Sequence, residues 1–139
     1  MGVGERGAAL RGAAEAPLIL LDTNALLWLQ QGHPRSRPLD RCAGRLYLSP
    51  ASVLELQLLV EAGRLRLASR TRVTDRAKDE RWLLDDPPAA RWFERALAAG
   101  WTRDPFDRLL VAPAQLRGWR IATGDAEILE HNAGRCLEL

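Results

Sequence analysis

Leu18-Ile19-Leu20-Leu21-Asp22-Thr23-Asn24-Ala25 is the stretch whose reading decides the fold. A short, continuous apolar run that stops at an acid suits a strand buried on both faces. Thr23 or Asn24 can cap the helix that follows over 25–31, which Gly32 and Pro34 terminate. A strand covered on both faces belongs in a parallel sheet between two helix layers. Asp22 then stands at the carboxyl end of that strand, where such sheets gather their ligands.

Working outward, the same alternation repeats. Leu46-Tyr47-Leu48 reads as a second strand, and Ser49-Pro50 supplies an N-cap and an N1 proline for a long helix ending at Gly63. Trp82-Leu83-Leu84 reads as a third strand, and Pro87-Pro88 leads into a helix over 89–99 stopped by Gly100. Asp104-Pro105 opens a helix through Arg117 that Gly118 closes, and Ile121-Ala122-Thr123 and Cys136-Leu137 read as two last strands. Residues 64–80 hold Arg64, Arg66, Arg70, Arg72, Arg76 and Lys78 with few apolar residues after Leu67, and read as a solvated connection. Residues 1–17, rich in Gly and Ala, read as a disordered leader. The expected architecture is a single α/β domain over 18–139, a central parallel sheet flanked by helices on both faces.

Composition narrows the function classes. At 139 residues, 47% hydrophobic and 27% charged, the chain has ordinary single-domain globular usage. Cys42 and Cys136 stand far apart with no second Cys or His at zinc-site spacing near either, which excludes a disulfide scaffold and a zinc ribbon. A reduced, cytoplasmic protein is the expectation. No segment approaches the roughly 20 apolar residues of a membrane span. The net charge of +2 argues against a wholly basic nucleic-acid coat. Lys78 is the only lysine, so any mechanism that needs a placed lysine is excluded.

The acids carry the chemistry. Asp22 and Asp125 both follow predicted strands at carboxyl ends; with Thr23 and Asn24 available, Asp22 is redundant as a cap. Glu55 lies on a helical face with Ala51, Ser52, Leu58 and Leu59, where an acid is costly unless it pairs with an arginine or a metal. Asp104 and Asp107 sit in Asp104-Pro105-Phe106-Asp107, which also makes a good helix start without further purpose. Carboxylates crowded into one cleft destabilise it unless a cation neutralises them. All-oxygen ligation selects a hard ion, Mg²⁺ or Mn²⁺, and such ions between carboxylates most often serve phosphate chemistry. There is no P-loop and no dinucleotide fingerprint. His33 follows a turn glycine and His131 lies in a polar tail, so both read as surface residues.

Four blocks together resemble the PIN-domain ribonucleases, and more narrowly the VapC-type toxins of type II toxin–antitoxin pairs. They are Leu20-Leu21-Asp22-Thr23-Asn24-Ala25-Leu26-Leu27-Trp28, Ser49-Pro50-Ala51-Ser52-Val53-Leu54-Glu55-Leu56, Asp104-Pro105-Phe106-Asp107-Arg108-Leu109-Leu110-Val111-Ala112 and Ile121-Ala122-Thr123-Gly124-Asp125. The resemblance implies Mg²⁺-dependent (or Mn²⁺-dependent) endonucleolytic cleavage of RNA, a homodimer and a small cognate antitoxin. It implies Asp22, Glu55, Asp107 and Asp125 as the catalytic and metal-binding acids, with Asp104 auxiliary. Thr23 would orient Asp22 through its hydroxyl, and Arg108 is a candidate for holding substrate. Three departures stand out: Gly124 where the family commonly has Arg, Pro113 inside a helix the family usually continues, and an Arg-rich stretch after Leu67 in place of one family helix.

Overall fold

The computed structural model describes residues 16–139, so nearly all of the expected 1–17 leader lies outside the described residues. The strands are β1 (Ile19–Leu21), β2 (Leu46–Leu48), β3 (Leu83–Leu84), β4 (Arg120–Thr123) and β5 (Cys136–Glu138). The helices are α1 (Thr23–Gln31), α2 (Pro50–Glu61), α3 (Val73–Arg76), α4 (Ala89–Ala96), α5 (Pro105–Arg117) and α6 (Ala126–His131), with a 3₁₀ segment over Pro34–Cys42. All strand pairs are parallel, in the order β3-β2-β1-β4-β5. The chain therefore winds outward in one direction from β1 through β2 and β3, then returns to the other side of β1 for β4 and β5. That reversal puts a topological switch point between β1 and β4, where a crevice opens at the carboxyl ends.

The central position of β1 follows from its composition. Ile19, Leu20 and Leu21 are at most 2% exposed. Leu20 packs with Leu110, Val111, Ile121 and Ile128, while Ile19 and Leu21 pack with Leu26, Leu48 and Leu56. Alternate residues thus feed the two helix layers, as a doubly covered strand requires.

Several elements differ from the sequence expectation. The third strand is shorter, because Trp82 is buried under the sheet with its indole N–H donating to the Ala77 carbonyl at 2.9 Å. The 64–80 stretch is more than a solvated connection: Val73 and Ala77 are buried in the core and Leu65 and Leu67 pack against it. α3 is a single turn, and its buried Val73 with the C-cap Ala77, four residues on, is too little to stand out from the surrounding arginines. The 3₁₀ segment buries Ser36, Leu39 and Cys42, a period of three that suits its geometry and escapes a search for the 3.6-residue repeat. α4 ends at Ala96 rather than Ala99, with Leu97 to Thr102 continuing in tight turns. His131 closes α6 instead of lying in a tail, and its ring stacks on Trp101 at 4.7 Å. Among the described residues no helix is long and apolar enough to cross a membrane.

Pro113 does not break α5, which runs through it with the proline buried. A proline lacks the amide that would bond the carbonyl four residues earlier, that of Leu109. The Trp92 indole N–H fills that vacancy, donating to the Leu109 carbonyl at 2.8 Å. Trp92→Phe keeps an aromatic ring but removes the donor, leaving that carbonyl without its partner. The expected cost is about 1–3 kcal/mol, read as a lower denaturation midpoint with an unchanged m-value.

Candidate active site

The register between β1 and β4 builds the centre of the site. Leu21 pairs with Ala122, so the next residues, Asp22 and Thr123, emerge side by side at the carboxyl end. Asp22 is 6% exposed and Thr123 fully buried. The Thr123 hydroxyl donates to Asp22 Oδ2 at 2.5 Å, and its oxygen accepts the Asp125 amide at 3.0 Å. One threonine therefore ties together the two strand-end acids. Asp22 Oδ1 accepts the Ala25 amide at 2.6 Å, which makes Asp22 the N-cap of α1. The expectation that Thr23 or Asn24 would cap, leaving Asp22 redundant, is corrected: Asp22 alone has the extended backbone of a cap, and Thr23 is already helical.

Thr23 has another task. Its hydroxyl donates to Glu55 Oε1, across from α1 to α2. The expected orientation of Asp22 by Thr23 is thus replaced by Thr23 holding Glu55 and Thr123 holding Asp22. Among the described residues Glu55 makes no ion pair; the pairs join Arg72 to Asp75, Arg81 to Asp79 and Arg117 to Asp85.

The α5 start supplies the other pair. Asp104 is its N-cap, accepting the Phe106 amide at 2.8 Å, and Asp107 lies in the first turn. Thr102 accepts the Asp104 amide at 3.1 Å and reaches Asp107 Oδ2 loosely at 3.5 Å. Asp125 caps α6, accepting the Glu127 and Ile128 amides at 2.9 and 3.0 Å. Three helix N-termini, with their partial positive charge, therefore converge where the acids gather.

Asp22, Glu55, Asp104, Asp107 and Asp125 all line one cavity of about 300 Å³, with Thr23 and Ser52 among its other walls. Burial pushes the Asp22 carboxyl up to about 6, with the Glu55 and Asp125 charges adding to the rise and the Thr123 and Ala25 hydrogen bonds opposing it. Burial, then the charges of Asp104, Asp125 and Glu55, push Asp107 up to about 7. Glu55 is raised as well, by burial first and the Asp104 charge after. This is the electrostatic condition of a cleft that a cation would relieve.

The donor set is all oxygen, which suits a hard cation. Among the described residues no group of three or more His, Cys, Asp or Glu side chains is drawn close enough to grip an ion directly. Mg²⁺ keeps several of its waters and takes only one or two carboxylates directly. Asp22, Glu55, Asp107 and Asp125 could hold such an ion, with Asp104 beside them.

Arg108 does not reach this cavity. Its Nε donates to the Thr102 carbonyl at 2.9 Å and its Nη1 to the Ala96 carbonyl at 3.4 Å. It fastens the turn that carries Thr102 rather than reaching toward substrate or forming an ion pair. Gly124 leaves room for the Arg35 side chain. A Cβ there would collide with the Arg35 guanidinium, which lies 4.2 Å over the Trp28 ring and donates to the Leu139 carbonyl at 3.0 Å. An arginine from another part of the chain occupies the space beside this backbone. Thr123, Thr102 and Ser52 were not singled out from the sequence. Thr123 alone had a signal, its place beside Asp22 once the two strands are paired as parallel neighbours.

Comparison with known proteins agrees with this fold. No curated protein matches the chain. Among solved structures, a toxin-antitoxin complex from Klebsiella pneumoniae aligns with a TM-score of 0.61 at 18% identity, covering 87% of this chain and 99% of that one. PAE2754 from Pyrobaculum aerophilum aligns with a TM-score of 0.57 at 23% identity, covering 88% and 90%. FitAB bound to an IR36 DNA fragment aligns with a TM-score of 0.52 at 21% identity, covering 87% and 94%. At these identities the likeness is one of fold. The family comparison goes further, matching the PIN domain over residues 19–134, from the first residue of β1 to just before β5. A match of that extent makes the chain a member of the PIN domain family.

Proposed function

We propose that the chain is a metal-dependent endoribonuclease, the toxin of a type II toxin–antitoxin pair. The observation that carries this reading is the convergence of five carboxylates on one cavity at the β1/β4 switch point. Membership of the PIN domain family and the fold shared with a toxin-antitoxin complex and with FitAB support it. A bound Mg²⁺ or Mn²⁺ would lower the pKa of an attacking water and neutralise charge on the phosphate. The protein's own part is positional. Thr123 fixes Asp22 and Asp125 relative to each other, Thr23 fixes Glu55, and the α5 cap fixes Asp104 and Asp107. Asp22, Glu55, Asp107 and Asp125 are the proposed catalytic and metal-binding acids.

The proposal extends to a domain over 18–139, a cytoplasmic location, a cognate antitoxin and a homodimer. Leu54 and Leu58 on α2 and Leu83 and Leu84 on the β3 edge are exposed, and they offer apolar surface for a protein partner. A second reading is a PIN module that binds RNA or a partner without cutting, the alternative raised by Gly124 where the family commonly has Arg. The test is cleavage of single-stranded RNA beside single-stranded DNA, with Mn²⁺ or Mg²⁺ and with chelator. RNA cleavage abolished by chelator is the expected result. Intact RNA together with calorimetric absence of Mn²⁺ binding would establish the non-cutting module, and preferential DNA cleavage would change the substrate.

A further inference from the structure

We infer that Arg64 is the substrate-positioning residue of the acid cavity, holding a backbone phosphate of the single strand next to the one that is cut. The inference rests on the nuclease reading. Among the described residues Arg64 is the only cationic side chain lining the cavity, whose other walls include five carboxylates. A polyanion entering a cleft so acidic needs a counter-charge beyond any ion held by the acids, and a guanidinium can take a phosphate bidentately. Arg64 is free to do so: it is exposed and belongs to none of the three ion pairs among the described residues.

Its position is set by the backbone. α2 ends beyond Glu61, and Gly63 takes a left-handed φ of 74°, which glycine adopts without strain. The Arg64 amide then turns back to the Leu59 carbonyl at 2.8 Å. Leu59, one helical turn beyond Glu55, is itself a wall of the cavity. The helix that carries an acid into the site thus also delivers the arginine to its rim.

The test is binding of a short, fluorescein-labelled single-stranded oligoribonucleotide to the full chain in Ca²⁺, followed over a range of salt concentrations. One lost phosphate contact on a single strand lowers the salt slope by about 0.7, equivalent to roughly five-fold weaker binding at about 0.1 M salt. Arg64→Gln is expected to show both changes, Arg64→Lys to retain the slope, and Arg66→Gln, outside the cavity, to change neither. Calorimetric Mn²⁺ affinity is expected to stay within about two-fold in Arg64→Gln, since the contact is to phosphate. An unchanged slope in Arg64→Gln, or an equal loss in Arg66→Gln, would overturn the assignment. So would a Mn²⁺ affinity that shifts by the same factor as RNA binding, because Arg64 would then be only a counter-charge for the acids. Arg64-dependent binding of an RNA that stays uncut in Mn²⁺ would keep Arg64 as a phosphate contact but overturn its placement beside a cut phosphate, along with the nuclease reading. Cutting with a KM unmoved by Arg64→Gln would keep the nuclease reading and overturn the assignment.

Discussion

Asp22→Asn is expected to reduce Mn²⁺-dependent RNA cleavage by at least about 100-fold, the upper range for losing a residue that only supports a metal's ligand. Asp22 is the most buried of the five acids and the one most firmly held, with both oxygens engaged by Ala25 and Thr123. Asparagine has nearly the same shape and one carbonyl oxygen, so it preserves the fold better than alanine while removing the charge a cation requires. Multiple-turnover cleavage of a labelled RNA, wild type beside variant at matched Mn²⁺, checks the loss. Cleavage within about three-fold of wild type would remove Asp22 from the machinery.

The same substitution carries a pH signature. In the native state Asp22 and Asp107 titrate at about 6 and about 7, above their ordinary value of 3.8. Between pH 4 and those values the native protein holds protons that the unfolded chain has released. Their contribution to stability is therefore fully present below about pH 4 and is lost as pH rises through 6 to 7. Asp22→Asn removes the share of that loss belonging to the buried Asp22, on the order of 2–3 kcal/mol. In chelator, the variant is expected to melt higher than wild type at pH 7.5, with the advantage vanishing below about pH 4. Cation binding runs the other way, since the acids must ionise to attract it. Mn²⁺ affinity of the wild type is expected to rise from pH 5 to 8, as measured by calorimetry.

Much of this arrangement was legible in sequence because local and global signals agreed. An apolar run ending in Asp22 is both a buried strand and a switch-point acid, and Ser49-Pro50 starts a helix wherever it stands. Asp104 and Asp125 are helix caps by local rule, and the same geometry aims them into the cavity. What escaped the reading depended on pairing across the chain. Thr123 has no distinction until β4 lies beside β1, after which it is the residue next to Asp22. The role of Arg64 is hidden among its arginine neighbours until the Gly63 turn folds it back. Arg108, next to an acid in the strongest motif, is instead drawn to the carbonyls of Ala96 and Thr102 by the turn after α4. Pro113 looked disruptive because the indole that satisfies its freed carbonyl comes from Trp92, on the preceding helix.

Arg117→Ala is expected to destabilise the fold by about 3–5 kcal/mol, the cost of leaving a buried partner charge unpaired. Asp85 follows β3 and is 4% exposed; its amide bonds to the Leu48 carbonyl at 2.8 Å, and apart from Arg117 its carboxylate accepts, among the described residues, only the Asp86 amide, at 2.8 Å. Arg117, the last residue of α5, grips it with both ends of the guanidinium, Nη1 to Oδ1 at 2.7 Å and Nη2 to Oδ2. The Trp119 ring lies 3.6 Å from that guanidinium and stacks in turn on Tyr47, at 4.7 Å between centroids. This ties the end of α5 to the β2–β3 edge. The expected fall in melting temperature is on the order of 10–20 °C. The effect should lie in the unpaired carboxylate rather than in the pair itself, so Arg117→Met combined with Asp85→Leu should recover most of the loss. Calorimetric melting of the two single variants and the double variant measures this directly. A double variant no more stable than Arg117→Ala would mean that the cation–π stack on Trp119, and not the buried charge, holds this edge together.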